Sequence, residues 1–230
     1  MSTLTCLAVD MTAGRGTTDR DKNASFIKSG RITLTSTDLH NFLRTRRSIR
    51  RFKSDPVPAP VIERILETAT YAPSAHNLQP WRFVMVIDTH KRKRLGKALT
   101  DKMVQDMIAT GVPQREINAH AERSLRRLEE APVVILLCRD VTAVRGGEPE
   151  EVVMAIQSVA AAGLQLLLAA YAEGLGGNWI CWPLYAQDAA HEALELAETW
   201  EPQAMFFLGY TEGEPREKVL RALDEVVRTI

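Results

Sequence analysis

The stretch Val152–Tyr171, VVMAIQSVAAAGLQLLLAAY, is almost continuously apolar. A run of that length is about what a bilayer span needs. It carries Gln157, Ser158 and Gln165 and is richer in alanine than in leucine, so it reads as a helix buried on most sides of a globular domain. Such a helix dictates the rest of the architecture, because other elements must bring apolar faces to cover it. It is too apolar to face water, so any face left bare points to a subunit interface.

The covering elements can be read on either side of it. Ile62, Ile65, Leu66 and Ala69 fall at helical spacing and predict an amphipathic helix over Pro60–Tyr71. A shorter helix is expected over Ser36–Arg46, charged surface helices over His90–Leu99 and Gln114–Glu130, and another over Asp188–Ala197. Arg82–Asp88, Val133–Cys138, Asn178–Cys181 and Met205–Tyr210 read as strands. The expectation is one α+β domain over 36–230, with a sheet of four or five strands flanked by helices. Residues 1–35 are rich in Gly, Thr, Ser, Asp and Lys without an apolar period, and read as a disordered or loosely attached leader.

Composition removes several function classes. The 29 basic and 29 acidic residues cancel, so the basic excess of a nucleic-acid binder is missing. The cysteines, Cys6, Cys138 and Cys181, are odd in number and far apart, which argues against a disulfide framework or a thiolate metal site. No metal is expected. Met1–Ala13 lacks the pattern of a signal peptide, and the compartment reads as reducing, the cytoplasm.

Three segments carry chemistry. In RRSIRR, the guanidiniums of Arg46, Arg47, Arg50 and Arg51 flank Ser48. Arginine forks match phosphate oxygens, so the run is either a phosphate clamp or a solvated basic face. The loop APSAHNLQPW places Pro73, Ser74, Ala75, Asn77 and Gln79 between a helix and a strand. Its amides and hydroxyls suit either the edge of a planar heterocycle or a self-capping turn. The run GLGGNWICWP has glycines that either end the long helix or let backbone approach a flat ring.

As a set, with Leu208-Gly209-Tyr210 and the basic residues before Leu223-Asp224-Glu225, these segments resemble the nitroreductase family over roughly residues 36–230. The resemblance implies a nitroreductase-like fold with a central mixed sheet, in an intertwined homodimer holding FMN at the subunit interface. It implies that Arg46 and Ser48, with Arg47 close by, hold the FMN phosphate, and that Arg50 lies near flavin N1 and O2. Pro73, Ser74, Ala75, Asn77 and Gln79 would meet the partner's FMN, and the backbone of Ile180, Cys181 and Trp182 would face N5 and O4. A further phosphate-binding residue is expected at Arg221, with Lys218 and Arg216 as alternatives. The family's C-terminal part often wraps the partner, whereas this tail is short. Cys181-Trp182-Pro183 departs from the common family pattern, and Trp182 would narrow the space above the ring.

Gln114–Cys138, the alanine-rich helix, GLGGNWI and Thr199-Trp200-Glu201-Pro202 are similar, more closely, to the flavin-binding half of the bifunctional enzymes of coenzyme F(420) biosynthesis, without their ligase domain. That likeness implies reduction of the dehydro precursor of the deazaflavin coenzyme. The alternatives are an NAD(P)H-dependent nitroaromatic, quinone or enone reductase, a non-catalytic flavin-binding protein, and a polyanion-binding module. Thr100–Glu130 is expected to be either a solvated polar segment or a lid in which Arg123 and Arg126 receive an acidic substrate.

Overall fold

The computed structural model describes residues 34–230, so nearly all of the expected leader, Cys6 included, lies outside the described residues. Helix α1 (Ser36–Thr45) belongs to a unit ending at Thr45. Thr35 and Asp38 cap it reciprocally: the Asp38 carboxylate accepts from Thr35 N–H at 2.9 Å, and Thr35 Oγ1 accepts from Asp38 N–H at 3.2 Å. The second unit, Arg46–Ile230, carries everything below.

Four strands form its sheet, β1 (Trp81–Met85), β2 (Val133–Asp140), β3 (Gly176–Ile180) and β4 (Trp200–Gly209), in the order β1-β2-β4-β3. The strand number meets the expectation, but the pairing is antiparallel in all three ladders rather than mixed. Among the described residues, parallel pairing is confined to a single bridge between Ser48 and Gly177. Both faces of the sheet are covered, which explains why VVILLC is continuously apolar instead of alternating. On one face Ile135, Leu137, Phe206 and Leu208 pack against α2 (Ala59–Ala69) and α5 (Pro149–Ala172) through Ile65, Val159, Ala162 and Leu166. On the other, Leu136, Met205 and Phe207 meet Leu95 and Leu99 of α3 (Thr89–Ala109), Leu128 of α4 (Gln114–Glu130) and Ala190 of α6 (Gln187–Leu194). Each fully buried side chain of this kind stabilises the fold by about 1.5–3 kcal/mol. Cys138 sits in the second layer, and burial, aided by Glu201, pushes its thiol up to about 12, leaving it inert.

Helix α5 differs from the expected burial on most sides. Ala155, Val159, Ala162, Gly163, Leu166 and Ala170 are buried, while Val153, Ile156 and Leu164 on the opposite side are exposed by 51%, 39% and 51%. A sheet covers only one face of a helix, and no other element of this unit reaches the second. It is the one helix among the described residues long and apolar enough to cross a membrane. Gly163 lets it lie against the sheet: a Cβ there would come within 2.7 Å of the Trp179 ring and 2.8 Å of Phe206. The helix ends as its glycine predicts. Gly174 takes φ +76°, and Leu175 N–H and Gly174 N–H donate back to Ala170 O and Tyr171 O, closing a Schellman motif.

Helix α3 runs ten residues past its expected end at Leu99, to Ala109. The continuation is held by the pairs Lys97–Asp101 and Lys102–Asp106, each four residues apart. Such support leaves no trace in apolar periodicity.

Candidate functional site

The arginine-rich segment lies along the sheet's β3 edge. Ile49 N–H donates to Gly177 O at 3.0 Å, and Lys53 N–H donates to Tyr210 O at 2.9 Å. Gly176 permits this close fit, since a Cβ on it would meet Ile49 Cγ1 at 2.7 Å and Thr211 Oγ1 at 2.6 Å. The glycines of GLGG therefore admit the Ser48–Phe52 segment and the core, rather than standing clear for a flat ring. Ile49 is buried, whereas Ser48, Arg50 and Arg51 are exposed. Arg47 donates to Arg46 O at 3.0 Å. Arg46 has a buried Nη1 with no hydrogen-bond partner.

Two cavities adjoin this segment. The larger, about 590 Å³, is lined by Ser48, Arg50, Arg51, Arg127, Thr211 and Arg216 among others. Its size suits a cofactor or drug-sized ligand. The smaller, about 160 Å³, shares Arg50 and Arg127 and adds Ser124, Asn178, Trp179, Ile180 and Trp182. Of the residues expected from the sequence, Ser48 and Arg50 line the larger cavity and Arg50, Ile180 and Trp182 the smaller, whereas Arg46, Arg47 and Cys181 line neither. Sequence reasoning missed Asn178 and did not single out Arg127 within its helix.

Arg127 is placed by α4, whose Leu125 and Leu128 pack over Gly96 of α3. Thr100–Glu130 is therefore a packed pair of helices forming a wall, not a loose cover. Burial lowers the Arg127 guanidinium's proton affinity, and the nearby cations Arg50, Arg123 and Arg126 lower it further. Arg123 and Arg126 line neither cavity. None of these four arginines has an ion-pair partner among the described residues, although Glu116, Glu122, Glu129 and Glu130 share the helix with three of them. Trp182 is a fixed wall, because its Nε1–H donates to Leu99 O at 3.0 Å. Cys181 is exposed beside it at the end of β3.

The loop 73–79 stands apart, and none of its residues lines either cavity. Three of its non-glycine residues are left-handed: His76 at φ 53°, Asn77 at 56° and Gln79 at 50°. Such backbone is held only where the surroundings over-determine it. Here Ser74 Oγ accepts from Gln79 N–H at 3.1 Å, Asn77 Oδ1 accepts from Gln79 Nε2 at 3.1 Å, and Ala75 N–H donates to Ser158 Oγ of α5 at 3.0 Å. The self-capping turn is real, and it leaves Pro73, His76, Asn77 and Gln79 exposed beside α5.

Arg82 anchors the loop's end, donating to Gln79 O at 3.1 Å and to Asp140 Oδ2 at 2.7 Å. Burial raises the Asp140 carboxyl, but hydrogen bonds from Thr142 and the Arg82 charge outweigh it and hold it below the ordinary value. The stabilisation is therefore complete above the ordinary carboxylate pKa near ~4 and is lost as pH falls through the lower folded value. Asp140→Asn should lower the thermal midpoint at pH 7, and the gap to the parent protein should close below about pH 4. A gap unchanged from pH 7 to pH 3 would mean that the charge contributes nothing.

The C-terminal segment beyond Thr211 is exposed throughout, and its only helix is the single turn α7 (Leu223–Val226). Lys218 and Arg221 lie in it and line neither cavity, whereas Arg216 does.

The profile of the Nitroreductase family matches residues 43–210. A 5,6-dimethylbenzimidazole synthase of Rhodospirillum rubrum is 33% identical over 184 residues, covering 75% of this chain and 80% of that protein. A Bacillus subtilis protein, YfhC, provisionally named an NAD(P)H nitroreductase, is 30% identical over 183 residues, 78% of this chain and 88% of that one. The crystal structure of a BluB-like flavoprotein from Clostridium difficile superposes with a TM-score of 0.71 at 24% identity, covering 84% of this chain and 98% of the other, which shows the shared fold. The match over most of the folded unit establishes that the chain belongs to the nitroreductase family of FMN-dependent oxidoreductases.

Proposed function

We propose that the protein is an FMN-dependent reductase of a small organic acceptor, drawing electrons from NAD(P)H and working as a homodimer. The observation that carries this reading is the cation excess around the larger cavity, where Arg50, Arg51, Arg127 and Arg216 outnumber Glu212 and Glu214, backed by the unpartnered buried Nη1 of Arg46. A buried, unpaired guanidinium nitrogen is costly until an anion meets it. A phosphate is such an anion, so the donor set fits FMN. Arg46 and Ser48, with Arg47, would hold the phosphate. Arg46 and Arg47 line neither cavity and are assigned from their place beside Ser48 and from the unpartnered Nη1 of Arg46; of the three C-terminal candidates, Arg216 joins them more readily than Lys218 or Arg221, because it alone of the three lines the larger cavity.

Bound FMN supplies hydride transfer through N5. Arg50 would supply a positive charge to offset the negative charge that a reduced flavin carries. The backbone of Ile180, Cys181 and Trp182 would offer polar groups to the flavin's edge. Trp182, pinned to α3, excludes water from that side. The loop Pro73–Gln79, Ser74, Ala75 and Asn77 included, lines neither of the two cavities described above and would close over the flavin of a second copy. Both described cysteines, Cys138 and Cys181, are free, which fits a place in the reducing cytoplasm.

The proposed acceptor is the dehydro precursor of the deazaflavin coenzyme, supported by the likeness of Gln114–Cys138, GLGGNWI and Thr199–Pro202. Reduction of a nitroaromatic, quinone or enone is the second reading, favoured by the likeness to YfhC. Purified protein should be yellow and release FMN, not FAD, on denaturation. Turnover should be faster with the dehydro precursor than with a nitroaromatic. Colourless protein that takes up no added FMN would sink the whole reading, and turnover of the nitroaromatic alone would sink the acceptor assignment.

A further inference from the structure

The smaller cavity holds two polar groups that the rest of the chain leaves unanswered. Asn178, on β3, is only 4% exposed, yet its Oδ1 accepts no hydrogen bond. Buried side-chain oxygens are normally satisfied, so this one marks a place for a ligand's donor. Arg127, across the cavity on α4, has no ion-pair partner among the described residues and is crowded by other cations. An anion settling beside it offsets both the cost of burial and the repulsion. Between them, Trp179, Trp182 and Phe207 supply apolar and aromatic walls.

At about 160 Å³ the space takes the end of a molecule, not a whole flavin; Arg50, Ile180 and Trp182 of its lining are the groups given above to the flavin's edges, and Arg127 and Asn178, with Ser124, are the polar groups left over. It shares Arg50 and Arg127 with the larger cavity, so a ligand lying in that cavity can place one end here. We propose that Arg127 and Asn178 form an acceptor-recognition subsite for a small planar carboxylate that carries an N–H or O–H donor beside the carboxylate. Arg127 takes the carboxylate, and Asn178 Oδ1 takes the donor. This rests on the FMN-reductase reading above, and it names the chemical group by which the site would recognise the end of its acceptor.

The test uses FMN-loaded protein and three nitroarenes with one reducible group in common: 4-nitrobenzoate, neutral 4-nitrobenzyl alcohol, and 2-amino-4-nitrobenzoate. Dissociation constants come from the change in the oxidised-flavin absorbance, so turnover is not needed. Rates come from anaerobic reoxidation of the dithionite-reduced protein. Arg127→Met should weaken 4-nitrobenzoate about tenfold or more, the worth of one charge-assisted contact, and leave the alcohol within about twofold. In the parent protein the amino compound should bind tighter than 4-nitrobenzoate. Asn178→Leu should remove that advantage alone, and Asn178→Ser serves if the leucine variant does not fold.

Equal weakening of acid and alcohol by Arg127→Met would make Arg127 a structural wall and overturn the proposal. So would an unchanged affinity for the acid, or an amino compound that gains nothing in the parent protein. Loss of FMN from Arg127→Met, where the parent protein keeps it, would assign Arg127 to the cofactor and overturn the subsite while leaving the reductase reading intact. Parent protein that binds no FMN would overturn both.

Discussion

Replacing Arg46 by alanine is expected to weaken FMN binding by about 10- to 150-fold, the equivalent of one charge-assisted contact of roughly 1.5–3 kcal/mol. Lys93→Ala, an exposed change on the outer side of α3, should leave the affinity within about twofold. Both are read by titrating apoprotein with FMN and following flavin fluorescence at one fixed salt concentration. The buried Nη1 of Arg46 adds a second signature. Without flavin, the unpaired cation is a cost to the fold, so apo Arg46→Ala should melt at or above the parent temperature. With excess FMN the order should reverse, because only the parent protein gains the full stabilisation of ligand binding. Arg46→Lys should recover part of the affinity, since a lysine keeps the charge and loses the fork. Equal FMN affinity in Arg46→Ala and Lys93→Ala would show that the phosphate is held elsewhere.

Much of this site is legible in the sequence, because its parts are local. RRSIRR is a contiguous run, and an extended segment needs no distant information to present Ser48 and Arg50 together. Gly174 announces the end of α5 through its own conformation. VVILLC announces a strand covered on both faces. What is not legible comes from long-range packing. Arg127 resembles its neighbours Arg123 and Arg126 until Leu125 and Leu128 seat α4 on Gly96 and decide which arginine faces the cavities. Asn178 looks like a filler between Gly177 and Trp179 until β3 is placed at the sheet's edge. The left-handed backbone at His76 and Gln79 carries no glycine to signal it, and it is enforced by Ser74, by Ser158 on a helix far along the chain, and by the Arg82–Asp140 pair. Residues 212–230 gave the weakest guide: spacing favoured Arg221 for the phosphate, but Arg216 is the one that lines the cavity.

Charging the bare face of α5 is expected to abolish both self-association and flavin retention. Val153, Ile156 and Leu164 are half exposed along one side of that helix. Val219, Leu220, Leu223, Val226 and Val227 of the C-terminal segment are exposed by 95%, 71%, 73%, 62% and 55%. A soluble monomer rarely leaves so much contiguous apolar surface in water. A second copy can cover the helix face and receive the tail. The loop 73–79 is tied to the same helix, through Ala75 N–H to Ser158 Oγ and through His76 lying 3.9 Å from Glu151. An interface that buries the helix face therefore takes in the loop as well, as the proposed sharing of the flavin site requires. The double variant Ile156→Glu, Leu164→Glu places unpaired carboxylates in that interface, where desolvating a charge without a partner is prohibitive. Light scattering should report a monomer, and FMN content per chain should fall below about a tenth of the parent value, as the proposed sharing of each flavin site between two copies requires. Lys97→Glu, on the outer side of α3, should stay dimeric and yellow, which controls for the added charge. Deleting residues 214–230 should weaken the dimer less than the double variant does, since the helix face remains. A folded monomer of the double variant that retains its full complement of FMN would show that one chain builds the whole flavin site, and the loop 73–79 would then need another role.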